Sequence, residues 1–422
     1  VNSHGAVNQL PLYQTETKDS EDNWDFVKSD TQYMTHGLHP YLASMIPQIP
    51  RKLLSMYASP RTKIFDPFAG GGAVIVESYL ANLEAVGIDI NPLAIILSKA
   101  KTSPIPKKAL WDCLERFNQL ICQSQAQAPE FPKSARIDFW FKANTIESLA
   151  QIRAVLDRLI SQTDDECREK VKNFLACVFS NTVRDVSLTY RGEVRLRKLQ
   201  GEDYERFNPD VLAEFRKRLR DAIHRLSHLP QNHIAPQLYE GDCRQLPFAD
   251  KHFNLVITSP PYGDIKNTIP YHQFSKNMLF WLGLGEAAIN QIRDHSLGAK
   301  NSHKSIPESE TLDFAISRMN KANLIHEAIR FYADYDNALH EIARVTADRI
   351  IIVIGHRILD GVLIDNPAIT TELMRLHGWK LETRFQRTIR KKRISRKMGF
   401  GNNAQGGTID SEAILVYVPI RP

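Results

Sequence analysis

The run Asp66-Pro67-Phe68-Ala69-Gly70-Gly71-Gly72 stands between a short extended segment, Thr62 to Phe65, and a long apolar helical stretch, Ala73 to Asn82. Glycines placed there let the chain reverse sharply and let its backbone approach a ligand closely, because any Cβ would occupy that space. The next extended segment, Glu84 to Ile90, contains Gly87 and delivers Asp89 at its end. Strand, glycine turn, helix and strand in that order predict the opening of a doubly wound parallel α/β sheet with a nucleotide-type ligand at its strand ends. A dinucleotide fingerprint would demand glycine or alanine three positions after Gly72, where Ile75 stands. That argues against a pyrophosphate seated on the helix N-terminus. A carboxylate at Asp89 can accept hydrogen bonds from both hydroxyls of a ribose, or it can cap the helix that Asn91-Pro92 opens.

The rest of the chain divides by pattern. Residues 1–30 are polar and partly acidic and read as a flexible N-terminal arm. From His39 to Met56 an apolar helical spacing is interrupted by Pro47 and Pro50, predicting a broken helix. Residues 101–236 carry helical periods such as Leu149, Ile152, Leu156 and Leu159 and few strand signals, which predicts a mainly helical insertion within an α/β domain formed by 31–100 and 237–422. Strands resume at Gln237 to Tyr239, Phe253 to Thr258 and Arg349 to Ile354. The end of the chain reads as an antiparallel pair, Lys380 to Ile389 and Ala413 to Val418. A hydrophobic content of 43% against 24% charged residues suits a folded chain with a sizeable core. The five cysteines form no CxxC pair, so neither a disulfide framework nor a metal site is expected, and a reducing cytoplasm is the expected location. No apolar run approaches the roughly 20 residues of a membrane span, and the N-terminus begins polar, unlike a secretory signal.

Two further motifs lie in the second half. Gly241-Asp242-Cys243-Arg244-Gln245-Leu246-Pro247-Phe248 follows a strand, where an acid can face a purine amino group, although Gly-Asp is also common turn chemistry. The apolar strand Asn254 to Thr258 then runs into Ser259-Pro260-Pro261-Tyr262. Two prolines there stiffen the backbone, remove two N–H donors and leave carbonyls free to accept. The result is a rigid polar cup beside an aromatic ring; a stiff strand-end turn is the plainer alternative.

Together, the glycine motif and the Ser-Pro-Pro-Tyr motif resemble those of the DNA amino-methyltransferases, which move a methyl group from S-adenosylmethionine to N4 of cytosine or N6 of adenine. The resemblance covers about residues 35–100 and 237–420. It implies a class I Rossmann-like methyltransferase sheet in which Asp66, Pro67, Phe68, Ala69, Gly70 and Gly72 wrap the methionine and ribose end of the cofactor. Asp89, with Ile90 and Asn91, would hold the ribose, and Asp242 with Cys243 would border the adenine. Ser259, Pro260, Pro261 and Tyr262 would hold the target base. The segment Tyr33 to Tyr41, with Thr35-His36-Gly37, resembles the motif that precedes the glycine loop and helps enclose the methionine. Gly263-Asp264, Tyr271 to Ser275 and Trp281-Leu282-Gly283 resemble the stretch that follows the Ser-Pro-Pro-Tyr motif. Serine at 259 favours the cytosine N4 branch, since N6-adenine enzymes more often carry Asp or Asn there; RNA guanine methyltransferases usually show Asp-Pro-Pro-Tyr. The glycine loop precedes Ser-Pro-Pro-Tyr, unlike the permuted order of many cytosine N4 enzymes, and 101–236 becomes the candidate target-recognition region. Duplex DNA is the implied partner, with a cognate restriction endonuclease as a second one that the family allows.

The chemistry independently suits these residue types. An exocyclic amine conjugated into its ring is a poor nucleophile; a serine hydroxyl and a proline carbonyl accepting its hydrogens would favour a pyramidal nitrogen able to attack in line. The ring of Tyr262 would stack on a base flipped out of the duplex. No covalent cysteine is required. Lys and Arg number 54 against 48 Asp and Glu, a mild net charge of +6, but the positive charge is concentrated. Between Glu382 and Asp410 there is no acid, while Arg384, Arg387, Arg390, Lys391, Lys392, Arg393, Arg396 and Lys397 supply eight cations. Such a loop suits phosphate neutralisation, with 390–397 as the predicted DNA contact. A second cluster, Arg184, Arg191, Arg195, Arg197 and Lys198 around Tyr190, is diluted by Glu193, Glu202 and Asp203.

Overall fold

The computed structural model describes residues 23–124, 127–190, 196–263, 271–299, 305–389 and 411–421. Its centre is a seven-stranded sheet built from β1 (Ile64–Asp66), β2 (Ala85–Asp89), β3 (Gln237–Glu240), β4 (Phe253–Thr258), β5 (Thr346–Gly355), β8 (Trp379–Thr388) and β9 (Ser411–Pro419). Between β5 and β8 lie the two short strands β6 (Arg357–Leu359) and β7 (Val362–Ile364), which pair only with each other. The sheet order is β3-β2-β1-β4-β5-β9-β8. The first five strands are parallel, and β9 inserts antiparallel between β5 and β8. After β1 the chain winds outward to β2 and β3, then returns to place β4 on the other side of β1. The strand order therefore reverses between β1 and β4, and in such sheets the crevice outside the carboxyl ends at that point is where ligands bind.

Both sheet faces are buried, which explains the nearly continuous apolar strands. In β5, Ile350, Ile352 and Ile354 enter one core with the helix Ala322–Val345, while Ile351 and Val353 enter the opposite core with the helix Gln48–Tyr57. The alternation follows from the two-residue period of a strand. No helix among the described residues is long and apolar enough to cross a membrane.

The stretch 101–236 contributes the helices Lys107–Ile121, Ala143–Ser161, Asp165–Asp185 and Val211–Leu226. Leu149, Ile152, Leu156 and Leu159 are buried, as their spacing predicts. They share one apolar cluster with Val76 and Tyr79 of the helix after the glycine loop, Leu93 and Leu97 of the next helix, and Phe274 to Trp281. This region thus packs directly on the helices that flank the sheet.

Two expectations are revised. The segment 39–56 is not one interrupted helix: a short 3-10 turn, Met34–Leu38, precedes it, and a regular helix begins only at Gln48, after Pro47. Pro50 then falls in the first turn, where its missing N–H costs no hydrogen bond. The expected loose arm over 1–30 also fails to hold for its last residues, while 1–22 lie outside the described residues. Trp24 is buried against Phe385 of β8, with ring centroids 4.8 Å apart, and the Asp25 carboxylate accepts the Thr388 N–H at 2.7 Å. An exposed edge strand gains a cover from this contact.

Candidate active site

A cleft opens at the carboxyl ends of β1, β2 and β4 and the turn after β3. The glycine loop forms its floor. Gly70 and Gly72 adopt left-handed backbone angles, φ +50° and +80°. Gly70 N–H donates to Asp89 Oδ2 at 2.8 Å, and Asn91 N–H donates to Asp89 Oδ1 at 2.8 Å. Asp89 therefore ties the end of β2 to the loop after β1. The helix Pro92–Thr102 is capped by Asn91, whose Oδ1 accepts from Leu93 N–H, so the capping alternative for Asp89 is excluded. A Cβ on Gly71 would lie 2.8 Å from Ser44 Oγ, and one on Gly72 would lie 2.6 Å from Ser98 Oγ. Gly71 faces the cleft, whereas Gly72 permits close packing of two helices.

The cleft is acidic on this side. Asp66, at the end of β1, accepts from Thr258 Oγ1 at 2.7 Å and from Phe68 N–H at 3.1 Å. Burial nevertheless pushes its carboxyl up to about 7, and the nearby Asp89 adds to the effect. Burial raises Asp89 to about 6 against the backbone N–H groups that favour its charge. A buried Asp66 and a half-buried Asp89, neither with a cationic partner among the described residues, suit a ligand that carries positive charge and hydroxyl donors. Asp242, after β3, also lines the cleft, with its carboxylate gripped by Arg244 Nε at 3.0 and 3.1 Å. Arg244 reaches on to Asp334 Oδ2 at 2.8 Å and to the His295 carbonyl at 3.0 Å. Cys243 is buried, and burial lifts its thiol well above the usual range, so it presents a neutral S–H.

At the end of β4, Ser259 and Pro261 line the same cleft. Pro260 is buried and does not line it, nor does Tyr262. The Tyr262 ring rests on Gly355, where a Cβ would come within 2.9 Å of its edge. Its phenol donates to Glu412 Oε1 at 2.9 Å, and Glu412 Oε2 accepts from Arg387 at 3.1 Å. Burial raises the phenol well above the tyrosine range and the Glu412 charge adds to this, while the neighbouring Ser259 hydroxyl acts in the opposite direction. Arg387, counted among the basic loop's cations, is thus committed to a buried ion pair.

Four sequence-predicted cofactor residues lie off the cleft: Gly72, which packs on Ser98, and Thr35, His36 and Gly37. Thr35 Oγ1 donates to the Lys101 carbonyl at 2.8 Å, and His36 Nε2 meets Glu77 Oε1 at 2.7 Å. Glu77 also accepts from the Tyr33 phenol and from Arg51 Nε. A Cβ on Gly37 would collide with the Arg225 guanidinium. These residues brace the 3-10 turn against the helix Ala73–Leu80, whose buried carboxylate demands partners.

The cleft wall is instead supplied by the next segment, Tyr41 to Met45, and by Tyr271. Tyr41 and Tyr271 stack with centroids 6.0 Å apart, and Asn91 Nδ2 donates to the Tyr41 phenol at 2.9 Å and to Ser275 Oγ at 2.7 Å. Tyr41 and Tyr271 sit at the borders of motifs already quoted and could have been found there. Ile292, His295, Ser296 and Leu297 also line the cleft, with no sequence signal to announce them. The residues predicted to contact DNA, Arg390, Lys391, Lys392, Arg393, Arg396 and Lys397, lie outside the described residues.

No family model matches the chain. It is 33% identical over 429 residues to the type II methyltransferase M.MvaI of Kocuria varians, covering 93% of this chain and 92% of that one. It is 30% identical over 107 residues to the type II methyltransferase M.MjaII of Methanocaldococcus jannaschii, covering 23% of this chain and 20% of that one. Among solved structures, an rRNA methyltransferase aviRa from Streptomyces viridochromogenes aligns over 93% of both chains with 11% identity and a TM-score of 0.32. The YcgJ protein of Bacillus subtilis aligns over 89% of this chain and 99% of that one with 8% identity and a TM-score of 0.29. Those structural scores add nothing to the topology already described. The sequence identity does, because it spans both motifs, the sheet and the helical stretch between them. The chain belongs to the type II DNA methyltransferases, which take their methyl group from S-adenosylmethionine.

Proposed function

We propose that this protein methylates the exocyclic N4 of cytosine in duplex DNA by direct in-line transfer to a flipped base. The observation that carries the reading is the shared cleft: the glycine loop, Asp66 and Asp89 line one side, and Ser259 enters it from the end of β4. S-adenosylmethionine, when bound, supplies an electrophilic methyl group on a cationic sulfur. Its charge and its ribose hydroxyls fit the two carboxylates of Asp66 and Asp89, which have no cationic partner among the described residues. In this reading Asp66, Pro67, Phe68, Ala69 and Gly70 enclose the methionine and ribose end. Asp89, Ile90 and Asn91 hold the ribose, and Asp242 and Cys243 border the adenine.

On the acceptor side, the Ser259 hydroxyl turns its own proton to the Tyr262 phenol, which passes a hydrogen bond to Glu412. The serine lone pairs then accept a hydrogen bond from one amine hydrogen, and the Pro260 carbonyl, although its residue does not line the cleft, is the acceptor proposed for the other. The freed nitrogen lone pair attacks the methyl carbon as its bond to sulfur breaks, and the surplus amine proton leaves to water. Pro261 holds the backbone of the cup. Tyr262 does not line the cleft, so in this reading its free ring face meets the base only once the base is flipped in past Ser259. The helices of 101–236 serve target recognition, the basic run Arg390 to Lys397 meets phosphates, and a restriction endonuclease of the same specificity is the natural counterpart of a type II enzyme.

Mass spectrometry of nucleosides from DNA treated with purified protein and S-adenosylmethionine tests the assignment. N4-methylcytosine is the expected product. N6-methyladenine alone would move the protein to the adenine branch while leaving the donor side intact.

A further inference from the structure

In the helical region, three cations and two aromatic rings alternate in a ladder. Arg136 lies over the Phe139 ring at 4.0 Å from its centroid, and Lys198 Nζ lies over the same ring at 4.4 Å. Lys198 also lies 5.1 Å from the Tyr204 ring centroid, and Lys142 Nζ approaches that ring at 5.0 Å. The contributing residues come from four separate places in the chain. Arg136 and Phe139 belong to the turn that opens the helix Ile137–Trp140, and Lys142 caps the helix Ala143–Ser161. Lys198 pairs with Thr189 in an isolated antiparallel bridge, and Tyr204 sits in the helix Gly201–Arg206.

Like charges gathered this closely repel, and the repulsion is relieved either by carboxylates of the chain or by an outside anion. Among the described residues, no carboxylate lies within ion-pair distance of Arg136, Lys142 or Lys198; Lys142 donates only to the Glu205 carbonyl, at 3.3 Å. Two neighbouring acids have other partners: Glu202 pairs with Arg206 at 2.8 Å, and Asp203 accepts from the Tyr190 phenol at 3.0 Å; Asp138 and Glu205 stand nearby in the chain, outside ion-pair distance of the three cations. A fourth cation, Lys276, donates to the Ser134 carbonyl at 2.6 Å, which brings it beside Arg136. Burial lowers its pKa and the Arg136 charge lowers it further, with Glu286 opposing. Lys276 stands on the helix Tyr271–Trp281, whose first residue lines the cleft. The ladder therefore flanks the helix that borders the candidate active site.

We propose that Arg136, Lys142 and Lys198 form a phosphate-binding ledge that receives the DNA backbone next to the cleft. The inference rests on the reading of duplex DNA as substrate, and adds to it cations other than those of the basic run 390–397. Rings held beneath the cationic heads limit their freedom before the duplex arrives, so less order is lost on binding. Contacts of this kind orient the duplex and carry no sequence information.

The test is duplex binding as a function of salt concentration, with Arg136→Gln, Lys142→Gln and Lys198→Gln combined in the full chain. The glutamines keep the polar stems over the rings and remove the charge. Expected is binding about a hundredfold weaker at moderate salt, equally for cognate and non-cognate duplexes, with the log–log salt slope reduced by about two to three. S-adenosylmethionine affinity should equal that of the unaltered protein, which also reports that the triple variant is folded. If it is not folded, the single variant Lys198→Gln decides, with an expected slope change of about one. A folded variant that retains both affinity and salt slope overturns the ledge while leaving DNA as substrate. An unaltered protein that shows no salt-dependent duplex binding overturns the DNA reading itself, and the ledge with it.

Discussion

The two sides of the cleft are built on opposite electrostatic plans. Beside β1 and β2, the buried Asp66 and the half-buried Asp89 have no cationic partner among the described residues, and their carboxyls are pushed up to about 7 and about 6. Beside β4, Ser259 and Pro261 present no charge to the cleft, and the one carboxylate behind them, Glu412, is balanced by Arg387 and the Tyr262 phenol. The first arrangement is costly until a cation arrives, whereas the second is already satisfied. That difference matches a cationic methyl donor on one side and a neutral amine on the other. It also predicts that damage to either side separates into a binding defect or a rate defect.

The largest effect is expected at Ser259. Ser259→Ala should slow methyl transfer by about 2 to 4 kcal/mol, tens to nearly a thousandfold, with S-adenosylmethionine affinity unchanged. Single-turnover rates and calorimetry on the same variant check this; an unchanged rate would remove Ser259 from the reaction, and a loss of cofactor affinity would merge the two sides. Asp89→Ala should do the reverse, weakening S-adenosylmethionine by about 1.5 to 3 kcal/mol. Asp89→Asn, which keeps an acceptor for the Gly70 N–H, should lose less. Equal losses in the two variants would assign the effect to the loop geometry rather than to the charge.

The raised carboxyls add a pH signature with a definite sign. Both groups are ionised above their raised pKa, so a cationic ligand that needs them ionised competes with protons below it. Affinity for S-adenosylmethionine should fall roughly tenfold from pH 8 to pH 6 as Asp66 takes up a proton. Binding near pH 6.5 should release protons, measurable by calorimetry in two buffers of different ionisation enthalpy. Flat affinity and no proton release would show that the carboxyls do not face the cationic group. The smallest effect is expected for Tyr262→Phe, which keeps the ring and removes the phenol: about 1 kcal/mol in the transfer rate, roughly fivefold, with no change in cofactor binding. A loss as large as that of Ser259→Ala would give the phenol a direct part in the transfer step.

The features legible along the chain are those that a short segment specifies alone. Glycines at 70 to 72 between an apolar strand and an apolar helix state a turn with a close backbone approach, and Gly70 and Gly72 do take left-handed angles. The Phe253 to Thr258 strand was legible to the residue, and the antiparallel pairing of the last two strands was legible with ends off by one or two residues. The helical period at Leu149, Ile152, Leu156 and Leu159 stated which face is buried. Period, turn chemistry and strand ends are properties of the local backbone, and at a switch point they suffice to place Asp66, Asp89 and Ser259 at one edge of the sheet.

Which side chains enter the cleft was settled only by packing between distant segments. Thr35 and His36 carry the composition of a binding motif, yet Glu77, buried on a helix 41 residues beyond His36, draws the imidazole away from the ligand side. Tyr262 sits beside Ser259 in the chain, but its phenol is claimed by Glu412, 150 residues later. The wall at His295 to Leu297 reaches the cleft because Arg244 links Asp242, Asp334 and the His295 carbonyl. A buried polar atom takes whichever partner the fold brings within hydrogen-bond range, because leaving it unpaired costs more than any local preference returns. Sequence thus determined the strands, the glycine turn and the chemistry at the strand ends, and tertiary structure decided the strand order with its switch point and the direction in which each side chain points.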